Sequence, residues 1–190
     1  MSAKSARSPF YVVEVRDHLT KFYNLPNELP VRSQEEADRV REGGYNLKRG
    51  LEAMMWVVEN RPDYEHVSAY RRFLLKWPII VETKEAIVQH QFDDALIRLD
   101  TMVTMDDEDP SAHYHLGLVY RYVYEFLQSE SSLRRCLNLY PDLAIGHRAL
   151  GFTLAYLERK DEAVTELELA LKKLPDDPET LRALQEIRAH

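Results

Sequence analysis

The chain has 190 residues, 45% of them apolar, and a formal net charge of −7. That length suits one domain or an array of small repeats with an extension, and the acidic balance argues against broad nucleic-acid binding, which needs a basic face. The single cysteine, Cys136, excludes an internal disulfide and a cysteine-based zinc site.

No apolar run approaches the ~18 residues of a membrane-spanning helix. The polar start has no hydrophobic segment like a secretory signal behind it. Ser2 stands where myristoylation needs glycine, and the C-terminus carries no lipidation box. The expectation is a cytoplasmic protein that neither inserts into membranes nor binds nucleic acid.

Residues 1–8 read as disordered. Residues 10–15 form a short apolar run. One strand cannot make a sheet alone, so the run is expected to lie extended on a helical body or to start a short helix reaching Tyr23. Pro26 and Pro30 mark residues 24–30 as a loop.

Ser33 and Glu36 form a capping box, so a helix should begin there, with Gly43-Gly44 interrupting or ending it. Leu47, Leu51, Met54, Met55 and Val58 then mark an amphipathic helix ending before Pro62. Another follows from Asp63, with Val67, Tyr70, Phe73, Leu74 and Trp77 on its apolar face. Together they read as a helical hairpin. Pro78 fits the first turn of a further helix, running to about Gln89, and its partner spans about Asp93 to Met105. The acidic turn 106–109 reads as a solvated loop supplying carboxylates to a helix start, because it lacks the glycine and distant glutamate of a calcium loop.

From Pro110 onward one pattern recurs at an offset of 34 residues. Leu116-Gly117 returns as Leu150-Gly151, Leu133 as Leu167 and Pro141 as Pro175. Ser129 and Cys136 return as the small residues Ala163 and Ala170. One period earlier stand Ala95 and Leu99. Glycine and small residues let paired helices approach, leucines fill the gap, and proline stops the second helix of each pair. A hairpin alone leaves an apolar face in water, and stacking buries it.

These residues resemble the tetratricopeptide repeat, whose period is also 34. Leu116, Gly117, Tyr120, Leu133 and Pro141 match in one copy, and Leu150, Gly151, Ala163, Leu167, Ala170 and Pro175 in the next. The departures are His113 and His147, where the family often has Trp, and Leu154, where it often has Tyr. The resemblance implies an all-α, right-handed α-solenoid of helical hairpins with an N-terminal helical extension. Its expected parts are an extended or partly disordered segment (1–32), a hairpin (33–75), three repeats (76–109, 110–143 and 144–177) and a capping helix (178–190).

The resemblance also implies that the first helix of each hairpin lines a concave groove. The residues it places there are Ile80 and Lys84, then Tyr114, His115, Leu118, Arg121 and Tyr122, then Ile145, Arg148, Phe152 and Tyr156. Aromatics offer contact area at low entropic cost, and arginine adds directed donors. The expected role is a non-catalytic scaffold or adaptor that binds a peptide segment of a partner protein.

Three alternatives stay open: a small chaperone holding an apolar secretion or assembly substrate, a homo-oligomer formed by stacking of the repeats, and a groove filled by residues 9–31 of the same chain. Some relatives grip a C-terminal carboxylate with Lys and Asn. Here the corresponding positions hold Ile80, Lys84, His115, Ile145 and Ala149, so that clamp is not expected. There is no Gly-rich phosphate loop, nucleophile elbow or HExxH, and no catalytic residue, metal site or cofactor is expected. His113 and His147 read as replacements for a packing aromatic, and Cys136 as a buried thiol. Tyr122 and Tyr124 are less accounted for and could form a self-association or partner surface.

Overall fold

A computed structural model of the chain describes residues 11–14, 22–26, 28–31, 33–42 and 47–189. The expectations for residues 1–8 and for Gly43-Gly44 lie outside the described residues. The chain divides into two compact units, one built on Leu25–Trp77 and the segment before Phe22, the other on Phe22–Asn24 and Pro78–His190.

The first unit contains a feature absent from the sequence reading. Strand β1 (Tyr11–Glu14) pairs antiparallel with β2 (Glu28–Val31), Tyr11 opposite Val31 and Glu14 opposite Glu28. The apolar run near the N-terminus therefore has a partner, and part of the expected loop is a strand. Pro30 fits because a two-stranded ribbon consists only of edge strands, where a missing N–H is tolerated.

Helix α1 (Gln34–Arg41) begins as the capping box predicts, with Ser33 Oγ accepting from the Glu36 amide at 3.1 Å. Helix α2 (Leu47–Asn60) packs on β2. Leu29, Val31, Ala37, Val40, Ala53, Met54 and Val57 are buried. Tyr70 anchors the ribbon by donating its hydroxyl to the Glu28 carbonyl, and its ring stacks on Tyr64, 5.8 Å away.

Tyr70 belongs to helix α3 (Val67–Val88), which corrects a second expectation. Pro78 does not open a new helix but sits inside this one. A helix can continue past proline at the loss of one backbone hydrogen bond to the carbonyl four residues earlier, provided packing holds the flanking turns.

In the second unit, residues 78–88 of α3 are followed by α4 (Phe92–Met105), α5 (Pro110–Tyr122), α6 (Phe126–Leu139), α7 (Ala144–Tyr156), α8 (Lys160–Lys173) and α9 (Pro178–Ala189). The 34-residue spacing governs their backbone. His90, Tyr124 and Glu158 each adopt a left-handed conformation, with φ of 59°, 64° and 59°. The amide after each reaches back over the turn: Gln91 to the Ala86 carbonyl (2.8 Å), Glu125 to Tyr120 (2.8 Å) and Arg159 to Leu154 (3.0 Å). This left-handed cap ends the first helix of each hairpin and satisfies its last carbonyls.

Inside the hairpins, an added Cβ at Gly117 would lie 2.4 Å from Leu133 Cγ, and one at Gly151 would lie 2.6 Å from Leu167 Cγ. Both leucines, with Ala95, Leu99, Ser129, Cys136, Ala163 and Ala170, are buried. Burial pushes the Cys136 thiol up to about 12, which keeps it protonated and inert.

Polar contacts cross from one hairpin to the next. Buried Ser129 Oγ lies 2.8 Å from the Gly117 carbonyl of its own hairpin and 2.9 Å from Thr153 Oγ1 of the following one. On the outer helices, Glu130 pairs with both Arg134 (2.8 Å) and Arg159 (2.7 Å), and Arg134 also reaches Glu162 at 3.1 Å.

Candidate partner-binding surface

Helix α5 packs on α7, and α7 on α9, as well as each on its own hairpin partner. The first helices of successive hairpins thus form the inner layer of a curved array. The sequence-nominated residues fall on this layer in two groups with different fates.

The first group lies around Phe22 and Tyr23, both buried. The Phe22 ring meets Tyr114 edge-on at 5.7 Å and His115 at 6.0 Å. Lys84 Nζ donates to the Tyr23 hydroxyl at 3.5 Å, and Asn24 Nδ2 donates to Asp106 Oδ2 at 3.2 Å. His115 Nδ1 donates to the Ser111 carbonyl at 2.7 Å. Burial, with Lys84 nearby, pushes the His115 imidazole below its ordinary value, so the ring is neutral. Burial likewise raises the Tyr114 phenol. Ile80 is 3% exposed and packs with Thr83, Leu99 and Met102 against His115, so it belongs to the interior of its hairpin.

The second group borders an open cleft of about 460 Å³. Arg121, Phe152, Ala155 and Tyr156 line one side, and Glu179, Arg182, Glu186 and Ile187 of α9 line the other. The Arg121 guanidinium lies 5.6 Å from the Tyr122 ring and 5.7 Å from the Phe152 ring, within range of cation–π attraction. Its Nε is buried without a hydrogen-bond partner among the described residues. Leu118 is half-buried on the same helix.

Tyr122 and Tyr156 are 50% and 61% exposed, yet each has one face covered. Tyr122 stacks on Phe92 at 5.6 Å and Tyr156 on Phe126 at 4.8 Å, a pairing that itself repeats after 34 residues. Tyr124 occupies a left-handed turn and is 78% exposed.

Arg148 is not free. It pairs with Asp177 at 2.9 Å and Glu179 at 3.8 Å. Asp177 also accepts from the Thr180 amide at 3.0 Å, capping α9. Hydrogen bonds from Thr180, with help from Arg148, hold the Asp177 carboxyl below the ordinary value. Arg148 therefore ties α9 to the array.

The histidines read as substitutes for a packing aromatic bind backbone. His113 Nε2 donates to the Asp107 carbonyl at 2.9 Å, and His147 Nε2 to the Pro141 carbonyl at 2.7 Å. His147 Nδ1 also pairs with Glu166 at 2.7 Å. In the first unit, Glu28, Glu65 and His66 bring potential ligand atoms within 4.8 Å of one another at the surface. His66 lies 3.2 Å from Glu65, as in an ordinary surface ion pair.

No family model matches the sequence, and comparison with curated proteins finds no match. Solved structures do match. The first tetratricopeptide-repeat domain of human RPAP3 aligns with a TM-score of 0.58 at 18% identity, over 60% of this chain and 90% of that one. The Arabidopsis OM64 repeat domain aligns with a TM-score of 0.59 at 15% identity, over 61% and 96%. MamA aligns with a TM-score of 0.56 at 16% identity, over 83% and 84%. The chain folds as a tetratricopeptide-repeat solenoid.

Within this solenoid, Phe22 and Tyr23 lie in the segment 9–31 that the sequence left open as filling the groove, but nothing local singled out these two residues, because no pattern ties them to positions far along the chain. Sequence reasoning also treated the last helix only as a cap. Of its expected face, Leu184 is buried and Leu181 is 41% exposed, while Ile187 lines the cleft. Among the described residues, no helix is long and apolar enough to cross a membrane.

Proposed function

We propose that this solenoid is a non-catalytic scaffold that holds a peptide segment of a partner protein in the cleft between its inner helices and α9. The observation that carries this reading is Arg121: a half-buried cation between two aromatic rings, its Nε unpartnered among the described residues, facing an open cleft. A buried donor left without an acceptor is costly. An incoming carboxylate pairs with the guanidinium where Arg121 lines the cleft, while Phe152, Tyr156 and Ile187 offer apolar contact to the neighbouring side chain. The occupant is therefore an acidic residue beside an apolar one.

Similarly folded domains support a peptide-binding role, since the first RPAP3 repeat domain has been solved with an HSP90 peptide, SRMEEVD. The same ligand is not proposed here. Of the clamp positions, only Lys84 carries a suitable cation, and it contacts Tyr23.

The test is affinity capture from source-cell lysate with two baits, the intact chain and an Arg121→Ala/Phe152→Ala variant. A partner held by the intact chain should drop at least tenfold on the variant by quantitative mass spectrometry. Recovery of every retained protein at unchanged levels would sink the proposal.

A further inference from the structure

The other half of the inner face is already occupied, and its occupant reports what it selects. Phe22 and Tyr23 are 7% and 8% exposed. Their rings pack edge-on against each other at 5.0 Å, and Phe22 continues edge-on to Tyr114 at 5.7 Å. The two aromatics thus enter as a unit.

Polar contacts fix both ends of the segment. Lys84 donates to the Tyr23 hydroxyl, and Asn24 donates to the carboxylate of Asp106, which follows α4. Asn24 has φ of 51°. That left-handed conformation is one asparagine tolerates better than most residues, and it turns the chain away immediately after the two rings. Side chains from α3, α5 and the end of α4 thus converge on three consecutive residues more than 50 positions away in sequence. This is the geometry of a bound short linear peptide, supplied in cis.

We infer that Lys84, Asp106, Tyr114 and His115 form a recognition seat for an adjacent aromatic pair followed by a turn-forming amide residue, and that Phe22–Asn24 is its built-in occupant. A partner carrying the same chemistry, an exposed Phe-Tyr-Asn-like segment, engages this seat by displacing the internal one. The internal copy then acts at high effective concentration, so it admits only ligands that bind better than itself or that also grip the neighbouring cleft. This bears on regulation of the surface proposed above, but the seat stands whether or not the Arg121 cleft binds anything.

The probe is a fluorescent peptide covering residues 18–28 of the chain, followed by anisotropy. It should bind a full-length Phe22→Ala/Tyr23→Ala variant at least tenfold more tightly than the intact chain. Adding Lys84→Ala and Tyr114→Ala to that variant should remove the gain. Equal binding to the intact chain and the vacated variant, no binding to either, or a gain that survives loss of Lys84 and Tyr114 would each overturn the seat.

One measurement does not depend on any variant folding. In the intact chain, Phe22 ring protons should show nuclear Overhauser contacts to Tyr114 and His115, and their absence would overturn the proposal outright. None of these readouts involves Arg121 or Phe152, so the lysate experiment and this one can fail separately.

Discussion

The repeats covering residues 110–143 and 144–177 are built on one frame and differ where chemistry is at stake. The frame is close to a copy. Gly117 faces Leu133 as Gly151 faces Leu167. His113 and His147 each hold the carbonyl six residues earlier. Tyr124 and Glu158 take the same left-handed turn, and Tyr122 and Tyr156 each stack on the phenylalanine opening the preceding hairpin's second helix.

The inner-face positions, by contrast, have diverged. Tyr114 packs under Phe22, whereas its equivalent Arg148 is an ion-pairing tie to α9. His115 corresponds to Ala149, Leu118 to Phe152, and Arg121 to Ala155. Residues that hold helices together recur because each hairpin solves the same packing problem. Residues on the inner face are free of that constraint, so their divergence marks where this chain does something particular.

The frame is most exposed to attack at its glycines. Gly151→Val should cost about 2–4 kcal/mol through overpacking, because the new side chain meets Leu167 and, at 3.2 Å from its Cβ, the Ala163 carbonyl. Gly117→Val should also destabilise, but the close neighbours there are all Leu133 side-chain atoms, which can rotate aside. Denaturant midpoints for the two variants would compare the repeats directly. Equal losses at both positions would break the difference drawn between them, and little loss at either would break the packing frame itself.

A smaller effect separates the two histidines. His147 meets an acceptor at each ring nitrogen, Glu166 and the Pro141 carbonyl, an arrangement that favours the imidazolium. The Glu166 hydrogen bond chiefly raises its value above the ordinary one, against the opposing effect of burial. A folded-state value above the unfolded one means the stabilisation is complete below the unfolded value, near 6.5, and is lost as pH rises through the folded value. The stability difference between the natural chain and Glu166→Gln should therefore be largest in mildly acidic buffer, about 1 kcal/mol or less, and shrink toward alkaline pH. In the preceding repeat Ser132 stands where Glu166 would be, and Ser132→Glu should give that repeat the same pH-dependent increment. A Glu166→Gln difference independent of pH would show that the pair contributes no charge-dependent stability.

The smallest effect lies in the turns. Tyr124 is 78% exposed at φ 64°, where an L side chain is strained and glycine is not. Tyr124→Gly should stabilise by about 0.5–1 kcal/mol, and Glu158→Gly, at φ 59°, should behave alike. A fall in melting temperature at Tyr124 alone would mean that its edge contact with Phe126, at 6.1 Å, outweighs the strain.

By itself the sequence determined the repeat array, its period, its glycine and leucine contacts and the Ser33 cap. Each of these rests on neighbours within one hairpin or on a pattern that must recur for hairpins to stack, so the information is local or periodic. Tertiary structure alone decided four things. Residues 11–14 pair with 28–31, a match between strands that neither segment announces. The helix runs through Pro78, against the local preference for a break. Arg148 is held by Asp177, 29 residues away, so that Arg121 and not Arg148 is the inner-helix cation lining the cleft, opposite Arg182 of α9. Phe22–Asn24 lies on the inner face between Lys84, Asp106 and Tyr114. The physical reason is common to all four. Each is a contact or a tolerance set by one distant, unrepeated partner, and a single unrepeated contact leaves no period for a sequence to display.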